Sequence, residues 1–285
     1  MINVEIDKNA GFCGGVIRTI STAEEYLSTH EHLYSLGEIV HNESEIERLS
    51  KMGLVALDME DLSEITEASG EPILIRAHGQ PPYIYELLRK RGFKIIDCTC
   101  PVVLGIQNKI RQAQGVVIIF GKRGHPEVLG LVGQVEPERV RIIESAQEAQ
   151  KLMDKEEIVG ACEIFSQTTQ SPVEYSRVCD ILRASLPLLK VHDTICKQMV
   201  FRYKKLEDFA LSHDVIIFVS GRSSSNGRVL SDLCKSKNFR TYQVGGVNEI
   251  QSSWFRPEDR VGVSGATSTP GWLLSEVASY IKALF

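Results

Sequence analysis

The sequence predicts an α/β protein built from three related copies of one supersecondary unit. Short apolar strand candidates alternate with helix-like segments, which is typical of parallel sheets covered by helices. The same order of cysteine, helix, strand and polar loop also occurs three times along the chain. Because repeated supersecondary units indicate pseudo-symmetry, three copies predict a trefoil of three α/β domains related by a pseudo-threefold axis.

Each copy of the repeat starts at a cysteine and contains two polar loops. The cysteines are Cys13, Cys100 and Cys196. The first loop follows after 28 residues (13 to 41), 25 residues (100 to 125) and 28 residues (196 to 224). The second loop follows the first after 37 residues (41 to 78), 43 (125 to 168) and 44 (224 to 268). This similar spacing predicts equivalent positions for the cysteines and loops in the three domains.

Short apolar runs provide the main strand candidates. They are residues 33–40, 73–76, 94–97, 116–121, 140–143, 215–220 and 260–264. Continuous Val and Ile runs of this kind suit strands that are covered on both faces. Asn42, with Glu45 three residues later, predicts a capping box at the start of a helix.

The third copy of the repeat lacks a strand that the other two copies have. A strand-like stretch, residues 3–6, lies directly before Cys13 at the opposite end of the chain. We therefore expect the repeat to be circular, with this first strand completing the third unit. The predicted domains are residues 14–98, residues 99–194, and residues 1–13 together with 195–285.

The composition excludes several classes of protein. The chain has 285 residues, a 43% hydrophobic fraction and a formal net charge of −5. It has no basic block for nucleic acid, no apolar run that would span a bilayer, and no signal-peptide layout at its N-terminus. Seven irregularly spaced cysteines in a long chain indicate thiols or metal ligands rather than disulfides. We therefore expect a cytoplasmic protein.

The polar loops predict an anion-binding site. Each loop joins a strand to a helix, where free N–H groups and the helix dipole favour negative charge. In parallel sheets the ligand crevice lies beyond the carboxyl ends of the strands. Neutral donors in these loops suit a small phosphorylated ligand, although Ser, Thr and Asn also cap helices and histidines also bind metals. The candidates are His41, His78, His125, Thr168, Ser224, Ser225, Asn226 and Ser268.

Three cysteines at equivalent positions predict a metal centre on the pseudo-threefold axis. A structural zinc site usually has four ligands with paired Cys-x2-Cys spacing, and the sequence contains no such pair. Three thiolates instead suit a [4Fe–4S] cluster that keeps one iron not ligated by protein. Cys98 is an alternative to Cys100, which is preferred because Pro101 then begins a helix. The remaining thiols, interpreted as core residues, are Cys162, Cys179 and Cys234.

Motifs along nearly the whole chain resemble those of the LytB (IspH) family of 4-hydroxy-3-methylbut-2-enyl diphosphate reductases. Any one motif is weak, but their common order from residue 11 to residue 268 is highly specific. The matching segments are Gly11-Phe12-Cys13, Val40-His41-Asn42, Ala77-His78-Gly79, Asp97-Cys98-Thr99-Cys100-Pro101, Gly124-His125-Pro126-Glu127-Val128, Gln167-Thr168-Thr169, Ile195-Cys196, Ser224-Ser225-Asn226 and Gly265-Ala266-Thr267-Ser268.

The resemblance implies a role for each of these residues. Cys13, Cys100 and Cys196 would bind the cluster, which lies at the centre of the family's trefoil fold. Glu127 would donate protons, Thr168 would relay them or position the substrate hydroxyl, and His125 would act beside the acid in the same loop. A glutamate in the first turn of a helix is also favoured by the helix dipole alone. The implied diphosphate ligands are His41, His78, His125, Ser224, Ser225, Asn226 and Ser268.

The implied reaction removes the allylic hydroxyl of 4-hydroxy-3-methylbut-2-enyl diphosphate and gives isopentenyl and dimethylallyl diphosphate. The electron donor would be a protein such as ferredoxin or flavodoxin, and the enzyme would be a monomer or a weak dimer. Two other classes stay open: a non-redox [4Fe–4S] dehydratase that acts on a small phosphorylated substrate, and a non-enzymatic sensor. Dependence on an external reductant separates the reductase from the dehydratase.

Overall fold

The computed structural model describes residues 2–65, 67–155 and 158–285, in which strands and helices alternate. The strands are β1 (Asn3–Ile6), β2 (Leu33–Leu36), β3 (Leu54–Leu57), β4 (Pro72–Ile75), β5 (Lys94–Asp97), β6 (Val116–Phe120), β7 (Val140–Ile143), β8 (Cys162–Ser166), β9 (Leu189–Val191), β10 (Val215–Val219), β11 (Thr241–Val244) and β12 (Arg260–Gly265). The helices are α1 (Gly14–Leu27), α2 (Glu43–Lys51), α3 (Met59–Glu64), α4 (Pro82–Lys90), α5 (Pro101–Gln112), α6 (Pro126–Val132), α7 (Ala146–Lys155), α8 (Pro172–Ser185), α9 (Lys197–Leu211), α10 (Ser225–Lys237) and α11 (Gly271–Ala283).

The strands form three four-stranded sheets with the same internal order. The orders are β3-β2-β4-β5, β7-β6-β8-β9 and β11-β10-β12-β1. Within each repeat, the strands that come first and third along the chain lie side by side at the centre of the sheet, as β2 and β4 do. The second and fourth strands, such as β3 and β5, lie at the edges. The pairs β4–β5, β6–β8 and β10–β12 are parallel, as the continuous apolar runs predict. The α/β class and the threefold repeat of parallel sheets are therefore confirmed.

The predicted circular repeat is also confirmed. β1 pairs in parallel with β12, and the register runs from Asn3 opposite Arg260 to Ile6 opposite Val263. The chain divides into two compact units, one of Met1–Leu33, Glu38–Ala56 and Lys197–Phe285, and one of Tyr34–Gly37 and Leu57–Cys196. The first unit contains the sheet of β1 and β10–β12. The three predicted domain boundaries stay a prediction.

Each sheet is covered by apolar helix faces, and these contacts form the cores. In the first unit, Ile217 of β10 belongs to one buried cluster with Val263 of β12 and Val277 of α11. In the second unit, Val117 and Phe165 pack with Ile110 of α5. Within residues 2–65, 67–155 and 158–285, no helix has both the length and the apolar character that crossing a membrane requires.

Two strand predictions differ from the structure for local reasons. The run predicted over residues 33–40 ends as a strand at Leu36, because Gly37 adopts the left-handed conformation with φ of 72°. β8 was missing from the main candidates, since Glu163 interrupts its apolar pattern. Glu163 is nevertheless buried, and its carboxylate bonds to His192 Nε2 at 2.6 Å. The short edge strands β3, β9 and β11 were also missed.

The predicted capping box at α2 is only half formed. The Asn42 side chain accepts a hydrogen bond from the Glu45 N–H at 3.0 Å, as an N-cap does. The Glu45 carboxylate does not return the bond to Asn42. It is buried and accepts hydrogen bonds from Arg48 and from the Trp272 indole at 2.9 Å. A tertiary contact thus replaces the local reciprocal bond.

We expect Gly115→Ala to lower the free energy of unfolding. Gly115 has φ of 67°, and a Cβ there would overlap the Ala161 carbonyl, to which Val116 N–H donates at 3.0 Å. The left-handed conformation alone costs about 1–3 kcal/mol for a non-glycine residue. Chemical denaturation measures this loss. Gly105→Ala, on an open face of α5, is the matched control and should stabilise the helix by about 1 kcal/mol. Equal stability of both variants would contradict the prediction.

Candidate active site

The three repeat cysteines have the same backbone setting. Each precedes a long helix: Cys13 precedes α1, Cys100 precedes α5 and Cys196 precedes α9. Each N–H donates to a carbonyl two residues beyond the end of the third strand of a repeat. The pairs are Cys13 N to Thr267 O at 3.3 Å, Cys100 N to Ala77 O at 3.0 Å and Cys196 N to Thr168 O at 3.0 Å. The backbone of the polar loops therefore positions the cysteines.

The seven thiols fall into two groups by exposure. Cys13, Cys100 and Cys196 are partly accessible, whereas Cys98, Cys162, Cys179 and Cys234 are buried. Burial raises the pKa of Cys162 to about 11 and that of Cys234 to about 12. Cys13, Cys100 and Cys196 instead each lie directly before the first residue of a helix. Exposure and location of the first three thiols thus fit iron–sulfur ligands, and those of the buried thiols do not.

Glu127 and Thr168 form a buried pair in the second unit. The Thr168 N–H donates to Glu127 Oε1 at 2.7 Å, and the Thr168 hydroxyl donates to Oε2 at 2.7 Å. Glu127 lies in the first turn of α6 and is only 1% exposed. A capping role would leave the carboxylate at the helix surface, whereas here both oxygens bond to a loop of another strand.

Burial raises the pKa of Glu127 to about 7, and the two hydrogen bonds from Thr168 act in the opposite direction. A carboxyl group with a pKa near neutrality is half protonated under physiological conditions. It can therefore release a proton and regain it within one reaction cycle. The Thr168 hydroxyl can accept one hydrogen bond and donate another, which suits a proton relay.

Two histidines lie close to this pair. His125 is the N-cap of α6, and its Nδ1 accepts a hydrogen bond from the Glu127 N–H at 3.2 Å. In the neutral ring the proton is then on Nε2, which makes that nitrogen a donor. The His78 ring meets the His125 ring edge to face, with centroids 5.2 Å apart. The structure thus brings His78, His125, Glu127 and Thr168 into one region of the second unit.

The three serine candidates lie together in the first unit. Ser224 Oγ and Ser268 Oγ are 3.0 Å apart, in the loops that follow the neighbouring strands β10 and β12. Ser224 is also the N-cap of α10, since its Oγ accepts from the Gly227 N–H at 3.0 Å. Ser225 follows as the first residue of the helix and is half-buried. This is the crevice position expected beyond the carboxyl ends of parallel strands.

Asn226 is buried beside these serines. Its Oδ1 accepts from the Thr267 N–H at 2.8 Å, and its Nδ2 lies 2.6 Å from the Met199 Sδ. The Thr267 bond defines which end of the amide is the acceptor, so Nδ2 is a donor. A thioether is a weak acceptor, so this donor can turn to an anionic ligand at little cost.

The loop of His41 packs against the loop before Ser224 in the first unit. A Cβ at Gly221 would overlap the His41 carbonyl, so only glycine permits this close approach of the two backbones. The Arg222 N–H also donates to Glu43 Oε1 at 3.2 Å. His41 is half-buried in this loop. The structure therefore places His41 in the same unit as the serines.

Sequence patterns alone did not identify two neighbours of these residues. Met199 and Gln107 are both buried, and Gln107 Nε2 makes no hydrogen bond within the described part of the chain. Gln107 contacts the Gly79 position next to His78. The one available signal was the location of Met199, in the first turn of the helix that follows Cys196.

Comparison with known proteins identifies the family of this chain. A sequence model of the LytB protein family matches residues 4–282. The 4-hydroxy-3-methylbut-2-enyl diphosphate reductase of Bacteroides thetaiotaomicron is 41% identical over 294 residues, which cover 100% of this chain and 99% of that protein. The enzyme of the same name from Porphyromonas gingivalis is 42% identical and is covered completely, as is this chain.

Two solved structures are similar to this chain over almost its full length. The E-1-hydroxy-2-methyl-but-2-enyl-4-diphosphate reductase of Plasmodium falciparum has a TM-score of 0.87 at 25% identity, covering 98% of this chain and 87% of that one. A second structure, of (E)-4-hydroxy-3-methyl-but-2-enyl diphosphate reductase, has a TM-score of 0.70 at 33% identity and covers 99% and 100%. With its family motifs, its repeated sheets and these full-length matches, the chain belongs to the LytB protein family.

Proposed function

We propose that this protein removes the allylic hydroxyl of 4-hydroxy-3-methylbut-2-enyl diphosphate by reduction and gives isopentenyl and dimethylallyl diphosphate. Full-length relatives carry the name of this reductase, which favours the reductase over the dehydratase alternative. The structural observation that carries the proposal is the common setting of the three accessible cysteines. The test is anaerobic purification with Mössbauer spectroscopy, followed by a turnover assay with and without reductant. Substrate consumption without reductant would contradict the proposal.

The cofactor is an iron–sulfur group, in line with the iron–sulfur character of the family. In our proposal Cys13, Cys100 and Cys196 hold a [4Fe–4S] cluster with one iron not ligated by protein. When bound, such a cluster supplies electrons and a Lewis-acidic iron. The protein contributes three cysteine sulfurs, each directly before the first residue of a helix. The four buried thiols stay outside the ligand set.

Glu127 is the proposed proton donor in this reaction. Its burial keeps the carboxyl protonated closer to neutral pH than an exposed glutamate. The departing hydroxyl needs one proton to leave as water, and the remaining allyl group needs another at either end. Thr168, bonded to both carboxylate oxygens, orients Glu127 and passes protons through its hydroxyl. His125 fixes the start of the helix that carries the acid.

The proposed diphosphate ligands are side chains with neutral donors. Hydrogen bonds from such donors to phosphate are charge-assisted, so they are stronger than neutral pairs and strongly directional. Lys and Arg would instead bind any anion through a long-range charge. The proposed diphosphate ligands are His41, His78, His125, Ser224, Ser225, Asn226 and Ser268, and Thr168 contacts the substrate at its hydroxyl.

The partner proteins and the location of the enzyme are part of the same proposal. The electrons come from a small redox protein such as ferredoxin or flavodoxin. The protein acts in the cytoplasm as a monomer or a weak dimer. Reduction assays with each purified donor, and sedimentation of the enzyme across a range of concentrations, test these two points.

We expect His41→Ala and Ser268→Ala to weaken binding of the diphosphate substrate. Each removes about one charge-assisted hydrogen bond, or about 1.5–3 kcal/mol, which corresponds to about a ten- to hundredfold loss of affinity. Calorimetry measures the affinity, and the absorption spectrum reports on the cluster. Ser275→Ala, on α11 with its hydroxyl bonded only locally to Gly271, is the matched control. Unchanged affinity in both site variants would place the diphosphate elsewhere.

A further inference from the structure

Arg202 is a buried cation in the first unit that has no part in the chemistry described above. It lies on α9, the helix that begins directly after Cys196, and is 6% exposed. Its Nη1 donates to the Gly11 carbonyl at 2.8 Å, two residues before Cys13. Its Nη2 is buried and donates no hydrogen bond within residues 2–65, 67–155 and 158–285. A buried guanidinium donor without an acceptor is costly, so its position calls for a negatively charged neighbour.

The groups that favour the charged form of Arg202 are the Asp7 carboxylate and Cys13, when its thiol is ionised. Burial lowers the pKa of Arg202, and these two groups act in the opposite direction. A guanidinium group is so strongly basic that it stays positively charged at neutral pH even when burial lowers its pKa. Asp7 is also buried, but its carboxylate already accepts from the Ser264 hydroxyl at 2.8 Å and from the Asn9 N–H at 2.8 Å. Neither of these bonds comes from Arg202, so Asp7 leaves the buried Nη2 without an acceptor within the described residues.

We propose that Arg202 is a positioning residue that raises the reduction potential of the iron–sulfur cluster, by placing a fixed, buried positive charge next to the Cys13 ligand. The inference rests on the proposed role of Cys13 as a cluster ligand. One-electron reduction adds a negative charge to the cluster, and a nearby cation stabilises that form more than the oxidised form. In a low-dielectric interior this difference is much larger than in water. Hydrogen bonds and net charge around the sulfurs are known to tune cluster potentials.

The test compares charge variants on the reconstituted, cluster-loaded protein. The midpoint potential is measured by EPR-monitored titration with dithionite, without substrate. We expect Arg202→Gln to lower the reduction equilibrium constant by about tenfold, which is a shift of about 59 mV for a one-electron couple. Asp7→Asn removes the opposing charge and should shift the potential upward. Arg202→Lys keeps the charge and should stay close to the unmodified protein.

Arg240→Gln is the matched control. Arg240 is also a partly buried arginine of the first unit, but it pairs with Asp259 at 2.6 Å. The control should lower thermal stability and leave the potential unchanged. If Arg202→Gln carries a full cluster with an unchanged potential, or if Arg202→Lys shifts as far as Arg202→Gln, the charge proposal is wrong and Arg202 only holds the Gly11 loop.

Iron and sulfide content separates failure of this inference from failure of the proposed function. An unmodified protein that assembles no cluster would overturn both. Arg202→Gln could fail to assemble a cluster while the unmodified protein succeeds. The potential of Asp7→Asn then tests the proposal, because this variant keeps the arginine and removes the negative charge beside it. An upward shift in Asp7→Asn supports the proposal, and no shift overturns it.

Discussion

Glu127→Gln is expected to bind the substrate but to turn it over roughly 10² to 10⁴ times more slowly than the unmodified enzyme. Glutamine keeps the shape of the side chain and one acceptor oxygen, so the bond from Thr168 N–H to Oε1 can persist. It cannot deliver a proton to the departing hydroxyl. Steady-state consumption of the hydroxylated diphosphate under reducing conditions measures the loss. Calorimetry checks that binding is kept.

The pH dependence gives the same test a second readout. A general acid must be protonated, and the pKa of Glu127 is raised to about 7 by burial. Turnover by the unmodified enzyme should therefore fall as the pH rises through about 7, and Glu127→Gln should lack this decline.

The raised pKa of Glu127 also means that the folded protein binds the proton more tightly than the unfolded chain. The contribution of Glu127 to stability is thus largest at low pH and is lost as pH rises through about 7.

Glu163→Gln is the matched control for this prediction. Glu163 is also a buried glutamate of the second unit, but its carboxylate bonds to His192 and Lys190. Its replacement should lower stability and leave turnover nearly unchanged. Near-normal turnover in Glu127→Gln would remove Glu127 from the mechanism and leave it as a structural residue of the first turn of α6.

Serine in place of Cys13, Cys100 or Cys196 is expected to abolish or severely damage the iron–sulfur cluster. Each change removes one of three proposed thiolate ligands, and a hydroxyl is a much poorer ligand for iron at neutral pH. The backbone bond that holds each cysteine does not depend on the side chain, so the fold should survive. Iron and sulfide analysis after anaerobic reconstitution measures the effect, and circular dichroism checks the fold.

The same replacement at Cys98, Cys162, Cys179 and Cys234 provides the control. These thiols are buried, so serine there should lower stability but leave the iron content per folded molecule near normal. Cys98 is the sharpest comparison, because it is two residues from Cys100 and its N–H donates to the Ile75 carbonyl at 2.8 Å. A Cys98→Ser protein without a cluster, beside a Cys100→Ser protein with one, would reverse the assignment.

The repeat could be read from the sequence because its signals are local. The start of a helix needs capping residues for its free N–H groups, so a polar loop marks each change from an apolar strand to a helix. Cys13, Cys100 and Cys196 recur at similar spacings from these loops. The same spacing located the first strand in the last sheet, and its pairing with β12 agrees. The edge strands β3, β9 and β11 were not predicted, because short, half-buried segments show little periodicity in their apolar residues.

Tertiary structure decided the properties that depend on distant neighbours. Glu163 breaks the apolar pattern of β8, yet the strand forms because His192 provides a hydrogen-bond partner for the buried carboxylate. Burial raises the pKa of Glu127 to about 7, against the two hydrogen bonds from Thr168, 41 residues along the chain. Arg202 meets the Gly11 carbonyl across 191 residues of sequence. The sequence by itself determined the elements and the residue types of the site, whereas desolvation and long-range contacts, which only the folded chain creates, set their charges and partners.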